Sequence, residues 1–266
     1  MLTLDQIRPT LQTSKQMSNR YVWMDTVQII ENLLALKSKG EPVFSLRQIK
    51  GKKSRKADTA GRGIHIVRLR TNRSFEIDGE TLFPEIVIKN SYDGSCPLVV
   101  EMGIFRLVCT NGLVIKSKDL GTIKIRHTGT PAEAAYDIVK GFAANLPKLV
   151  NVQKQLAETS LSEIQIKEFA SRAARIRWDN IAEDADVTEF ITAIRPEDNG
   201  NSVWKIMNVV QEKLMNGGVK MSGMRRTGRQ VKNANEDLRI NQELFELAME
   251  YAQSSEGEVV EAEEMV

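Results

Sequence analysis

The chain of 266 residues is poor in the residues that build metal centres and covalent frameworks, with two cysteines and two histidines. Two cysteines cannot make a disulfide scaffold, and the reducing cytosol is their simpler setting. Cys96, Cys109, His65 and His127 are the soft ligands, and none is paired at zinc-site spacing. Aromatic residues make up 6% of the chain, so most are needed in a core. No run approaches the roughly 18–20 apolar residues that span a bilayer. The start, MLTLDQIRPT, lacks the basic-then-apolar layout of a secretory signal. There is no phosphate-binding G-x-x-x-x-G-K-[ST] loop, no G-x-G-x-x-G, no G-x-S-x-G elbow and no H-E-x-x-H. These absences predict a protein without metal or cofactor, off the membrane, cytoplasmic and non-enzymatic. At 41% hydrophobic residues, the chain has enough apolar material for a packed core.

A net charge of +2 gives no sign of a polyanion ligand until it is mapped along the chain. From Arg47 to Arg73 there are ten basic residues and a single acid, Asp58. Lys220, Arg225, Arg226, Arg229 and Lys232 form a second basic run without an acid. From Ser254 to Val266 there are five glutamates and no base, so the rest of the chain stands at +7. Blocks of opposite sign point to a polyanion partner or an acidic tail. The stretch 50–63 has three glycines and no apolar periodicity, and reads as a loop before a strand.

The texture along the chain is helix, then sheet, then helices, which predicts an α+β fold. Residues 1–253 read as one domain, made of an N-terminal helical region (1–41), an antiparallel sheet of five or six strands (42–127) and a helical region (128–253). Residues 254–266 read as a disordered acidic tail. Asp25 with Gln28 resembles a capping box, and the stripe Val27, Ile30, Leu33, Leu34 should run as a helix until Gly40. Strands are predicted at 63–70, 85–89, 98–102, 104–109 and 122–126. Asn111-Gly112 is a hairpin signal, because both residues accept positive φ. Capping boxes are expected at Thr130/Glu133, with Pro131 at the first helical position, and at Ser160/Glu163. Pro147 should split a helix, and Gly217-Gly218 should end one.

The candidate nucleic-acid contacts are Lys50, Lys52, Lys53, Arg55, Lys56 and Arg62 of the loop, Arg68 and Arg70 of the following strand, and Lys124, Arg126 and His127. The second run adds Arg225, Arg226 and Arg229. Arg68 and Arg70 alternate with Val67 and Leu69, which predicts arginines on one sheet face and apolar packing on the other. Tyr21, Phe75 and Tyr92 are candidate base-stacking partners. Asp93 lies in a polar stretch between strands, where Asp93-Gly94 reads first as a hairpin turn. Acid–base or metal chemistry there would need Asp93 to meet Glu85 and His127.

The runs P-E-I-V-I-K-N-S-Y-D-G-S, G-I-F-R-L-V-C-T-N-G-L-V and I-R-H-T-G resemble the phage/plasmid-like "domain of unknown function 932" family. So do H-I-V-R-L-R, V-W-K-I-M-N-V-V-Q-E-K-L-M-N-G-G and R-R-T-G-R, and the likeness covers about Ser18 to Tyr251. It marks Asn90, Asp93, Gly94, Arg106, Cys109, Asn111 and Gly112 as motif residues that shape hairpins. Tyr92 departs from the family, which often has histidine there. The resemblance implies a prophage or plasmid protein of the bacterial cytoplasm, encoded near single-strand handling and defence-evasion functions. A hairpin sheet followed by a long helix is also similar to the β-β-β-α core of phage single-strand annealing proteins. The expected function is single-stranded DNA binding (with duplex DNA or RNA as variants) that promotes annealing or recombination from a ring or filament of copies. The alternatives are a regulatory or anti-defence protein that binds a host or phage protein through the acidic tail or the basic loop, and a metal-dependent nuclease.

Overall fold

The computed structural model describes residues 3–7, 19–51, 63–106, 113–115, 122–145, 148–182, 185–221, 224 and 227–263. The chain forms two compact units. The first comprises residues 1–75, 82–112 and 116–149, and the second 76–81, 113–115 and 150–266.

In the first unit, α1 (Leu4–Ile7) and α2 (Thr26–Leu34) precede the hairpin of β1 (Lys37–Ser38) and β2 (Glu41–Pro42). Asp25 caps α2, accepting from the amides of Val27 and Gln28. The helix stops at Leu34, short of the expected Gly40, because Lys39 and Gly40 adopt φ of 54° and 86° and turn the chain into the hairpin. Strands β3 (Phe44–Gly51), β4 (His65–Thr71), β6 (Glu80–Asn90), β7 (Leu98–Arg106) and β9 (Ile123–Ile125) follow, with β5 (Phe75–Ile77) before β6; β8 (Leu113–Ile115), between β7 and β9 in the chain, belongs to the second unit. The order β3-β4-β6-β7-β9 is antiparallel throughout.

One sheet face carries Ile49, Val67, Leu69, Ile86, Ile88, Val100, Met102 and Ile104, each at most 3% exposed. Helix α2 lies against β3 and α3 (Ala132–Ala143), and α3 lies against β9. The fold class is α+β, as the order of elements predicts. Three local expectations are corrected. The segment read as two strands, 98–102 and 104–109, is one strand through Gly103 as far as Arg106, because Gly103 keeps its ladder partner Glu85. The first two residues of the stretch read as a loop, Lys50 and Gly51, end β3 instead. The Thr130/Glu133 box does not form: Pro131 is the cap residue of α3 and makes no side-chain cap bond. Asn111 and Gly112 lie outside the described residues.

In the second unit, α5 (Glu163–Arg177), α6 (Thr188–Ile191), α7 (Val203–Asn216) and α8 (Ala234–Glu263) pack on one another, after α4 (Lys148–Glu158). Their core holds Phe169, Phe190, Trp204, Met207, Val210, Leu244 and Phe245, none exposed. The box of α5 is Ser162 with Gln165, two residues past the predicted pair. Asp78 and Gly79, at φ of 53° and 76°, turn β5 into β6. Residues 254–263, expected to be a disordered tail, continue α8, whose Glu- and Ala-rich sequence meets no proline.

Three glycines, Gly217, Gly218 and Gly228, hold the two sides of the second basic run together. The Gly218 amide donates to Gly228 O, the Gly228 amide to Val219 O and the Val231 amide to Met215 O. Arg177 donates to the carbonyls of Leu214 and Arg229. A Cβ on Gly217 (φ 70°) would sit 2.4 Å from Gly228 O, and one on Gly228 would sit 2.7 Å from the Trp178 ring. Gly217→Ala should therefore lower the unfolding free energy by about 2 kcal/mol, since neither the backbone nor the conformation can yield. Gly141→Ala, in α3 with open space at its Cβ, should raise it by about 0.5–1 kcal/mol. Urea denaturation of the two variants measures both signs.

Candidate nucleic-acid interface

Both histidines gather at one end of the first unit's sheet. His65 Nδ1 donates to Gly63 O at 3.0 Å, so its Nε2 accepts from Thr26 Oγ1 at 2.8 Å. Asn90 Nδ2 donates to Thr26 Oγ1 and to Met24 O, both at 2.9 Å, which turns Asn90 Oδ1 toward His127 Nε2 at 3.0 Å. His127 Nδ1 faces Val22 O at 3.1 Å. Tyr92 accepts from the Thr26 amide at 3.0 Å and donates to Asp25 at 3.3 Å. Thr26, His65 and Asn90 are at most 1% exposed.

Rings stack around this network. Trp23 lies on Tyr92 at 4.8 Å and 6°, Tyr21 on His127 at 4.8 Å and 10°, and Tyr92 tilts against His65 at 5.1 Å. Burial pushes the Tyr21 phenol up to about 12, with Asp93 and Cys96 adding to the rise. Burial likewise raises Tyr92 and the Cys96 thiol. Both His127 nitrogens face acceptors, and a neutral ring donates from only one. Burial lowers its pKa, while the carbonyls of Val22 and Cys96 oppose the shift without reversing it.

The turn after β6 is built by its own side chains. Ser91 Oγ accepts from the Cys96 amide and donates to Cys96 O. Asp93 accepts from the amide and hydroxyl of Ser95, and Gly94 takes φ of 71°. Asp93 and Gly94 thus act as turn residues. Glu85 lies five positions down β6 from Asn90, held by arginines. Among the described residues no three of His, Cys, Asp and Glu gather as a metal-holding group.

Arg68 corrects the alternation argument. It does point to the face opposite Val67 and Leu69, but it is 2% exposed and its Nη1 meets Glu85 at 3.3 Å. Arg47, the extra residue of a bulge in β3, meets the other Glu85 oxygen at 3.2 Å and lies 4.2 Å over Phe105. Arg70, directly opposite Glu85 in register, instead lies over Phe83 at 4.9 Å and Phe105 at 5.4 Å. One buried carboxylate thus engages two guanidiniums, and Arg68 is part of the interior.

The surface charge of this face lies one end further along. Lys50 is opposite Ile66, Ile66 opposite Lys89, Lys89 opposite Val99, and Val99 opposite Lys124. Residues directly opposite in a ladder share a face, so the three lysines form one row. They are two strands apart, hence about 10 Å from one to the next. Lys124 is exposed, and Lys50 and Lys89 are half-buried. Exposed Arg126 follows two residues after Lys124. The last β3–β4 pair is Gly51 with His65, so the basic segment leaves and re-enters the sheet at this same end.

Lys52, Lys53, Arg55, Lys56, Arg62, Arg225, Arg226 and Cys109 lie outside the described residues. Arg229 is exposed in the second unit, and Arg106 is buried on the apolar face of β7. Tyr92 is 1% exposed and sandwiched, so it is not a surface stacking partner. Sequence reasoning missed Lys89. Lys89 reads as a strand residue until register aligns it with Lys50 and Lys124.

These features define an α+β protein whose first unit presents a basic row at one end of an antiparallel sheet. The chain belongs to the family described as "Domain of unknown function (DUF932)", which matches residues 15–245. It is similar to two proteins of Escherichia coli (strain K12), the "UPF0380 protein YfjQ" and the "UPF0380 protein YafZ". Each is 26% identical over 238 residues, covering 87% of this chain and 82% of the relative. No solved structure matches. Among the described residues no helix is long and apolar enough to cross a membrane.

The buried network sets an acid limit on the fold. Burial lowers the His65 pKa from 6.5 to about 4, against opposing contributions from Gly63 O, Asp93 and Asp25. The unfolded chain therefore takes up this proton first. The stabilisation is whole above pH 6.5 and is lost as pH falls toward 4, for a total of about 3 kcal/mol. Urea titrations between those pH values should show this slope in the parent and a shallower one in His65→Gln.

Proposed function

We propose that the chain binds single-stranded DNA and promotes strand annealing without turnover, in the cytoplasm of a bacterial cell that carries it. The observation that supports this reading is the single register row of Lys50, Lys89 and Lys124, at the sheet end from which the basic segment departs. Cations about 10 Å apart in one line suit a flexible phosphate chain laid across the strands, and counterion release supplies the affinity. Neutralising phosphates also removes the repulsion that keeps complementary strands apart. The basic segment 52–62 would add contacts along the same polyanion, the run 225–229 would offer a second contact line, and a ring or filament of copies would lengthen the surface. Arg68 has no part in this scheme; its role is to neutralise Glu85.

Salt titration of oligonucleotide binding tests the reading. The variant Lys89→Gln/Lys124→Gln/Arg126→Gln should flatten the plot of log K against log salt by about 2, roughly 0.7 for each lost phosphate contact. An unchanged slope and affinity would remove the row from the binding surface.

A further inference from the structure

The two faces of the first unit's sheet differ in charge at the end where the basic segment departs. Lys50, Lys89 and Lys124 lie on one face. His65 shares the other face with Val67 and Leu69, and rings gather over it there. Tyr92 tilts against His65, Trp23 stacks on Tyr92, and Tyr21 stacks on His127. Tyr21 and Trp23 meet edge to face at 6.4 Å and 68°, so their planes form a corner. Both are half-buried, whereas Tyr92 behind them is 1% exposed.

The charged groups beside this corner are mostly carboxylates. Asp25 accepts from the Tyr92 hydroxyl at 3.3 Å. The Tyr21 hydroxyl donates to Ser91 O at 3.4 Å, which brings it to the turn that carries exposed Asp93, and Asp93 adds to the rise of the Tyr21 pKa. Asp25 and Glu133 act on Tyr136 in the same sense. Against these three acids, segments 19–25 and 91–96 and the first turn of α3 bring one base, Arg20. Ring faces and carboxylates both attract a cation, and rings already stacked on Tyr92 and His127 need no reordering to meet one.

The chain supplies a matching group. Residues 52–62 hold Lys52, Lys53, Arg55, Lys56 and Arg62 against Asp58 alone. Each copy therefore carries a basic segment and an acidic aromatic corner at different places. A contact between unlike surfaces repeats from copy to copy and builds a ring or a filament.

We propose that the corner of Tyr21 and Trp23, with Asp25 and Asp93 beside it, receives a lysine or arginine of segment 52–62 of a second copy and so joins copies head to tail. This goes beyond the nucleic-acid reading, because the contact forms without a strand. It leaves Lys50, Lys89 and Lys124 on the opposite face for a polyanion.

The test uses no nucleic acid, so its failure is distinct from failure of the lysine row. Sedimentation velocity of the full chain over a range of concentrations should show self-association that weakens as salt rises. A labelled peptide of residues 50–63 should bind the parent, and the same peptide with acetyl-lysine and citrulline in place of its bases should not. Asp25→Asn/Asp93→Asn keeps the cap and turn acceptors and removes both charges, and it should weaken peptide binding and self-association about tenfold. The basic peptide should change tryptophan fluorescence in the parent and not in Trp23→Phe. Unchanged peptide affinity in the double variant, or a fluorescence response that survives Trp23→Phe, would overturn the corner as the site. A parent that binds the peptide yet stays monomeric at every concentration would overturn the second copy as its occupant. If the double variant does not fold, the neutral peptide and the fluorescence of Trp23→Phe decide the matter.

Discussion

One carboxamide ties together the segments on which the interface depends. The Asn90 side chain is fully buried at the end of β6 and has partners on three sides: Met24 O, Thr26 Oγ1 and His127 Nε2. It joins the segment before α2, the start of that helix and the end of β9. Lys89 precedes Asn90, and Arg126 precedes His127. The groups of the basic end are thus neighbours in sequence of the groups that this amide holds. Buried polar groups must be satisfied, so the network has little freedom to slip.

Charge in this unit is sorted by depth. Three arginines stand near one carboxylate on the sheet face, and two of them meet it directly. Burying such ions costs solvation, which the pairing and the Phe105 ring offset. Lysines occupy the rim of the same face, where a compact hydrated ammonium keeps its water. Arginine suits the interior of the face because its planar cation can both pair with Glu85 and lie flat on a ring.

Much of the fold is legible in local signals. Period-two runs mark β4, β6 and β9, and Asp25, Gly217 and the 3.6-residue stripes mark α2, α7 and α8. Errors fall where tertiary structure overrides a local cue. Gly103 looks like a break between strands, but its ladder partner carries β7 through it. Lys50 looks like loop because it opens a charged, glycine-rich stretch, yet pairing with β4 makes it strand. The site is less legible than the fold. Alternation assigns Arg68 to the correct face, but period two says nothing about what covers a face. Lys89 has no local signature, because its meaning comes from residues on two other strands.

By itself, the sequence determined the order of elements, the α+β class, the turn chemistry of Asp93-Gly94 and the existence of opposed charge blocks. Each of these depends on interactions between residues a few positions apart, or on composition alone. Only the tertiary structure decided which charges are buried, that His65 and His127 meet through Thr26 and Asn90, and that Lys50, Lys89 and Lys124 share a row. Those outcomes depend on register between distant strands, where a slip of one residue would send each side chain to the other face.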